Sequence, residues 1–191
     1  DDRDVIVDPG TYLYTSHPDR RNRFRATGSH NTLAVDGYEQ TELPEDLFRL
    51  PDRTRIRRAE LTENDERACF TGAIEYAGIV HERTVGVDKA SGRWSIEDHA
   101  CSARPAGGRI VFHLAPHVRS QGGDILAESG ATAVARVETE NAPLETGTYD
   151  YSPEYGIAVE AQSVFIHVRD LTNATVTATF SRQRPGVAPA D

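Results

Sequence analysis

The side chains best able to do chemistry crowd into the first third of the sequence. Asp8 follows the apolar run Val5-Ile6-Val7 and precedes Pro9-Gly10-Thr11-Tyr12, which sets a carboxylate at a strand end with a tight turn behind it. His30 stands twenty-two residues later in Ser29-His30-Asn31-Thr32, at the entrance to a second strand, Leu33-Ala34-Val35, and the turn Asp36-Gly37. A carboxylate and an imidazole at two strand ends can give an oxygen and a nitrogen to a borderline metal such as zinc, half of a tetrahedral set. The same residues also have a plainer use, with Asp8 capping its own turn and His30 bonding a backbone carbonyl. Spacing alone makes that the default.

Other reactive types carry less. His113 and His117 flank Pro116 and do not share a helix face, while His81, His99 and His167 fall inside strand patterns and read as satisfied or solvent-facing strand histidines. His17 lies in the loop before a basic cluster, Arg20 to Arg25, and is the first residue to examine if the Asp8 and His30 pair needs another ligand. A second basic stretch, Arg53 to Arg58, sits beside Pro44 and Pro51 and reads as a solvated loop. Cys69 and Cys101 are too few for a disulfide scaffold and too far apart for a zinc knuckle. One bridge between neighbouring strands is possible, and two buried thiols are the preferred reading.

These groups need a scaffold, and the pattern supplies strands. The hairpin over Ile79 to Val87 and Arg93 to Asp98, closed by Asp88-Lys89-Ala90-Ser91-Gly92, is the clearest element. Further strands are expected at 32–35, 58–61, 68–74, 109–114, 132–138, 157–160, 164–169 and 175–180. The stretch from Asp36 to Arg58 reads as a long connection with at most one helical turn near Glu45 to Phe48. The expected fold is therefore all-β, an antiparallel multi-stranded sandwich (supersandwich-like) with few or no helices, over residues 1–183, followed by a Pro-rich disordered tail at 184–191. The 191 residues suffice for one sizeable core, and a net charge of −9 argues against nucleic acid as a partner. No apolar run reaches membrane-spanning length, so no membrane partner is expected. The start, without Met and with a strand almost at once, reads as cut from a longer polypeptide.

The segment Val7-Asp8-Pro9-Gly10-Thr11-Tyr12-Leu13-Tyr14, with Arg23-Phe24-Arg25-Ala26-Thr27 and His30-Asn31-Thr32-Leu33-Ala34-Val35-Asp36-Gly37, resembles the heparinase II/III-like family of polysaccharide lyases. Order, spacing and several identities agree over about 31 residues, which is far more specific than a three-letter motif. His81-Glu82-Arg83-Thr84-Val85, Trp94 to Asp98, Val111 to Pro116 and Ser152 to Gly156 match the later strands of that family's C-terminal β-sandwich more loosely.

The resemblance implies a β-sandwich that partners an N-terminal α/α-toroid of the same parent chain. It also implies β-elimination of an acidic, uronate-containing polysaccharide such as a glycosaminoglycan or alginate. By the same resemblance Asp8 and His30 are metal ligands, zinc being the metal expected in the parent enzyme. Tyr12 is the catalytic tyrosine facing the cleft, and Arg25 binds substrate. The family's His-x-His-x-Asp segment lies upstream of Asp-Pro-Gly and outside this sequence, so the fragment alone is expected to be inactive and its metal site incomplete. A periplasmic or secreted parent is preferred to a cytoplasmic one. The alternative is a non-catalytic carbohydrate-binding or interaction module built on the same sandwich.

Overall fold

The computed structural model describes residues 4–46, 48–127, 133–139 and 142–182. Among the described residues twelve strands form two antiparallel sheets. The smaller sheet has the order β1-β6-β11-β10, from Leu33–Val35, Gly108–His113, Ile157–Val168 and Leu144–Glu154. The larger has the order β2-β3-β4-β5-β12-β9-β8-β7. Its first half is Arg55–Glu63, Arg67–Tyr76, Ile79–Asp88 and Trp94–Ser102; its second is Ala174–Arg182, Ala133–Thr139, Asp124–Ala127 and Val118–Gln121. The expected all-β sandwich is thus what forms, with one α-helix, α1 (Pro18–Arg25), and one 3-10 turn (Thr27–Ser29) among the described residues. No helix among them is long and apolar enough to cross a membrane.

Alternation builds the core. Ile110 and Phe112 of β6 and Val164, Ile166 and Val168 of β11 point from the small sheet onto Ile79, Ala100, Val176 and Ala178 of the large one. Phe112 meets Phe180 edge-on, with ring centroids 5.1 Å apart.

Several expectations need correction. The stretch Arg55 to Arg58 is not a loop but the start of β2, an edge strand whose nine residues are all exposed. Two of its arginines are paired, Arg57 with Glu75 and Arg58 with Glu60 and Glu82. The two strands expected at 157–160 and 164–169 are one, β11. The long connection, expected to hold at most one helical turn near Glu45 to Phe48, shows bends at Glu45 and Phe48. Cys69 and Cys101 are unbonded and not buried: Cys101 is exposed and Cys69 half-buried. The tail from 184 onward lies outside the described residues.

One charged cluster sits within the sandwich. Asp98 on β5 accepts from His81 Nε2 at 2.6 Å and from Arg83 in bidentate fashion, at 2.7 Å to Nε and 2.9 Å to Nη2. Burial alone would raise the Asp98 carboxyl. The His81 hydrogen bond and the Arg83 charge outweigh it and hold the group below the usual carboxylate range. Arg83 Nη1 then reaches the carbonyl of Asn31, in the segment before β1.

Removing one partner from such a cluster leaves a buried charge unpaired, so Asp98→Asn should cost about 3 kcal/mol or more of unfolding free energy in urea at neutral pH. Because the folded carboxyl is depressed, its stabilisation is complete above the unfolded pKa of about 4 and is lost as pH falls through the lower folded value. The gap between wild type and variant should therefore narrow below about pH 4 and close once the pH is below the depressed folded value. A gap that persists there would contradict the assignment.

Candidate functional site

The site begins at a seam along one edge of β6. β1 covers this edge only as far as Thr32, whose carbonyl accepts from Val111 N at 3.1 Å. The chain then departs, and the next donor on the edge, the His113 amide, is met at 2.7 Å by Asn31 Oδ1. From there a different segment takes over: Val7 N donates to the His113 carbonyl and Ala115 N to the Val5 carbonyl, both at 2.9 Å, and Ile6 bridges Leu114. Asn31 Nδ2 closes the join with a 2.9 Å bond to the Val7 carbonyl. The side-chain amide thus does the work of a peptide group between two pieces of edge strand.

The residues beside the two ends of that join are Asp8 and His30. Asp8 Oδ2 lies 2.7 Å from His30 Nδ1, with both side chains substantially exposed. Asp8 Oδ1 accepts from Gly10 N at 3.1 Å. One aspartate oxygen therefore caps the turn while the other meets the imidazole. Gly10 is required in this turn: its φ is +82°, and a Cβ there would lie 2.5 Å from the Ser152 carbonyl oxygen. His30 bonds Asp8 rather than a backbone carbonyl through that nitrogen.

Next to the pair, an open cleft of about 590 Å³ lies over the outer face of the small sheet. Pro9 and Ser29, the neighbours of Asp8 and His30, are on its rim, and Arg23, Arg109, His113 and Tyr149 line it. Arg109 rests over the Phe165 ring at 4.9 Å, and Arg23 lies 3.6 Å from Asp150. His113 is buried, with Nδ1 2.8 Å from Ser163 Oγ and its ring 4.2 Å from that of Tyr149. Its Nε2 has no hydrogen-bond partner among the described residues. Burial pushes the imidazole down to about 4, so it is neutral at physiological pH. Burial pushes the Tyr149 phenol up, and its hydroxyl donates to the Leu114 carbonyl at 2.9 Å.

The other expected residues fall elsewhere. Tyr12 is buried, stacked on Phe24 at 5.1 Å beneath the Arg20 guanidinium at 4.8 Å, and is not among the residues that line the cleft. Its φ of +64° is strained for a residue with a side chain, as happens at functional positions. Arg25 donates to Asn22 Oδ1 and to the carbonyls of Asp46 and Arg49, which fastens the long connection rather than facing the cleft. His17 is exposed at the start of α1. Arg23, Arg109 and Asn31 were not singled out by sequence reasoning, and His113 was read only as a strand histidine. Arg23, Asn31 and His113 lie within the quoted motif segments, so the segments were the available signal.

Asp8 and His30 suit a borderline metal in donor chemistry. Two ligands on one tetrahedral zinc stand about 3.3 Å apart, from bonds of about 2.0 to 2.1 Å, so their 2.7 Å separation needs only a small opening. No group of three metal-ligating side chains forms among the described residues. The pair can supply half of a site.

A family model described as "Heparinase II/III-like, C-terminal" matches residues 1–184. Among solved structures, the heparan sulfate lyase HepC from Pedobacter heparinus superposes with a TM-score of 0.74 at 13% identity, over 98% of this chain and 30% of that one. A heparinase III gene product gives 0.73 at 13% identity, over 94% and 28%, and a heparinase III 0.70 at 15%, over 93% and 27%. The chain spans less than a third of each of these proteins. Curated protein sequences give no match. With the family model covering nearly every residue, the chain belongs to the heparinase II/III-like family, at its C-terminal domain.

Proposed function

We propose that this chain is the β-sandwich part of a polysaccharide lyase that cleaves an acidic, uronate-containing polysaccharide by β-elimination. The observation that carries this reading is the Asp8 and His30 pair, exposed and held 2.7 Å apart beside a cleft that two arginines line. Elimination withdraws the proton α to the uronate carboxylate and expels the glycosidic oxygen. The site must therefore offset carboxylate charge, accept one proton and return another.

Arg23 and Arg109 meet the first demand, since a planar guanidinium binds a carboxylate through two parallel hydrogen bonds. In this reading Asp8 and His30 contribute two ligands to zinc, which, when bound, would supply positive charge and fix the domain edge, with further ligands from the rest of the parent chain. Tyr12 is the candidate proton donor, and its use requires the Arg20 side chain above it to swing aside when sugar enters. Arg25 supports substrate binding through the loop it fastens. The toroid of the same parent chain supplies the remaining acid-base groups, and a periplasmic or secreted setting suits a polymeric substrate.

The full-length protein that contains this chain should release unsaturated uronate, visible by its ultraviolet absorbance, and the isolated 191-residue chain should not. Asp8→Ala and His30→Ala should each lower bound zinc in the full-length protein and reduce kcat/KM at least 100-fold, while shifting the melting temperature of the isolated chain little. Turnover by the isolated chain, or full activity in both variants, would overturn this division of labour. Binding of uronate polysaccharide with no turnover by the full-length protein would favour the non-catalytic module.

A further inference from the structure

Away from the cleft, three aromatic side chains from three separate segments meet at the surface. Tyr14 comes from the loop behind the Asp8 turn, Phe48 from the long connection before β2, and Tyr155 from the tip of the β10–β11 hairpin. Tyr14 and Tyr155 are stacked with centroids 5.5 Å apart and planes 26° from parallel, and Phe48 tilts against Tyr14 at 6.5 Å. Their exposures are 50%, 58% and 79%, so at least half of each ring's residue faces solvent. Single exposed rings need no explanation. A contiguous set assembled from three parts of the chain marks a surface meant to be covered.

The set is also built. Arg21, although a full cation, is only 4% exposed; it donates to the Asp46 carbonyl at 3.1 Å, and its guanidinium carbon lies 6.0 Å from the Phe48 ring centroid. Phe48 N bonds Asp46 Oδ1 at 3.2 Å, and Arg25 adds bonds to the same loop. On the other side, Gly156 N bonds the Tyr12 carbonyl at 2.8 Å and ties the Tyr155 tip to the Tyr12–Tyr14 loop. One buried cation, Arg21, and hairpin contacts thus hold rings that the fold itself leaves uncovered.

Two features select the occupant. Helix α1 beside the platform carries four arginines against one aspartate, on a chain whose net charge is −9. The platform is also tied to the cleft wall through the Tyr12 loop: Gly156 N bonds the Tyr12 carbonyl, Tyr12 stacks on Phe24, and Phe24 and Arg23 line the cleft. Flat rings offer their faces to the C–H face of a pyranose, and arginines at the margin attract its carboxylate.

We propose that Tyr14, Phe48 and Tyr155 form a sugar-stacking subsite outside the cleft, which holds a stretch of uronate polysaccharide leading into it, with Arg20 and Arg23 drawing its carboxylates. The proposal rests on the lyase reading above and adds to it a length preference: oligosaccharides long enough to reach the platform bind more tightly than short ones.

The test uses the full-length protein made inactive by His30→Ala, with uronate oligosaccharides from disaccharide to octasaccharide and calorimetric affinities. The parent should bind the octasaccharide about tenfold or more tighter than the tetrasaccharide. Tyr14→Ala and Tyr155→Ala should collapse that ratio toward one, Tyr14→Phe should retain it, and Phe70→Ala, an exposed ring on the other sheet, serves as the control. Melting curves and size-exclusion profiles run alongside. An affinity independent of length, or a ratio unmoved by the alanine variants, overturns the subsite. So do alanine variants that lower the melting temperature and separate the domains, since the rings would then be an internal contact. If the active enzyme turns over uronate polysaccharide normally in any of these cases, the lyase reading stands and only the subsite falls; a full-length protein that neither binds nor cleaves such polymers sinks both.

Discussion

The site depends on one side-chain amide standing in for a peptide group. Asn31 spans the gap where β1 leaves the edge of β6 and residues 5–7 take its place, accepting from the His113 amide and donating to the Val7 carbonyl. Because Asn31 follows His30 and Val7 precedes Asp8, splicing the two segments side by side necessarily brings the imidazole to the carboxylate. Each of these bonds satisfies a partly buried backbone group whose loss costs about 1 to 3 kcal/mol, so the join is specific as well as stable. Arg83 fixes the third polar group of Asn31, its carbonyl, from the opposite sheet, and is itself held by buried Asp98. The seam is thereby referenced to both layers of the sandwich rather than to one flexible loop.

The seam lies beside the outer face of the small sheet, which carries the cleft. β6 and β11 send Ile110, Phe112, Val164 and Ile166 inward, and the alternate residues Arg109, His113, Ser163 and Phe165 outward to the cleft. A one-residue slip in register would exchange the two sets. Two cations, Arg23 of α1 and Arg109 of β6, line that cleft on an otherwise acidic chain. His113 is kept neutral by burial, so it adds no competing charge beside His30.

Much of the scaffold was legible because it is local. The β4–β5 hairpin is written in alternation and in the Asp88 to Gly92 turn, and the Asp8 and His30 segments are written as motifs. What was missed depends on partners far away in sequence. Helix α1 has no apolar stripe and no side-chain cap, and it is held by burial of Phe24 and Arg21. β10, with Gly147 and Pro153 and little alternation, exists through its pairing with β11. The functional weight of Asn31 is invisible locally because its partners, Val7, His113 and Arg83, lie 24, 82 and 52 residues away. Arg25 and Arg23 are two residues apart on one short helix, and only the fold decides that Arg23 lines the cleft while Arg25 ties down a loop.

The central claim is that the Asn31 amide, rather than any affinity of the two side chains for each other, sets Asp8 against His30. A crystal structure of Asn31→Ala beside that of the wild type tests it most directly. The account predicts that both sheets superpose while the Asp8 Oδ2 to His30 Nδ1 separation opens from 2.7 Å to beyond hydrogen-bond reach, about 3.5 Å. A variant in which the two atoms remain at hydrogen-bond distance would contradict it.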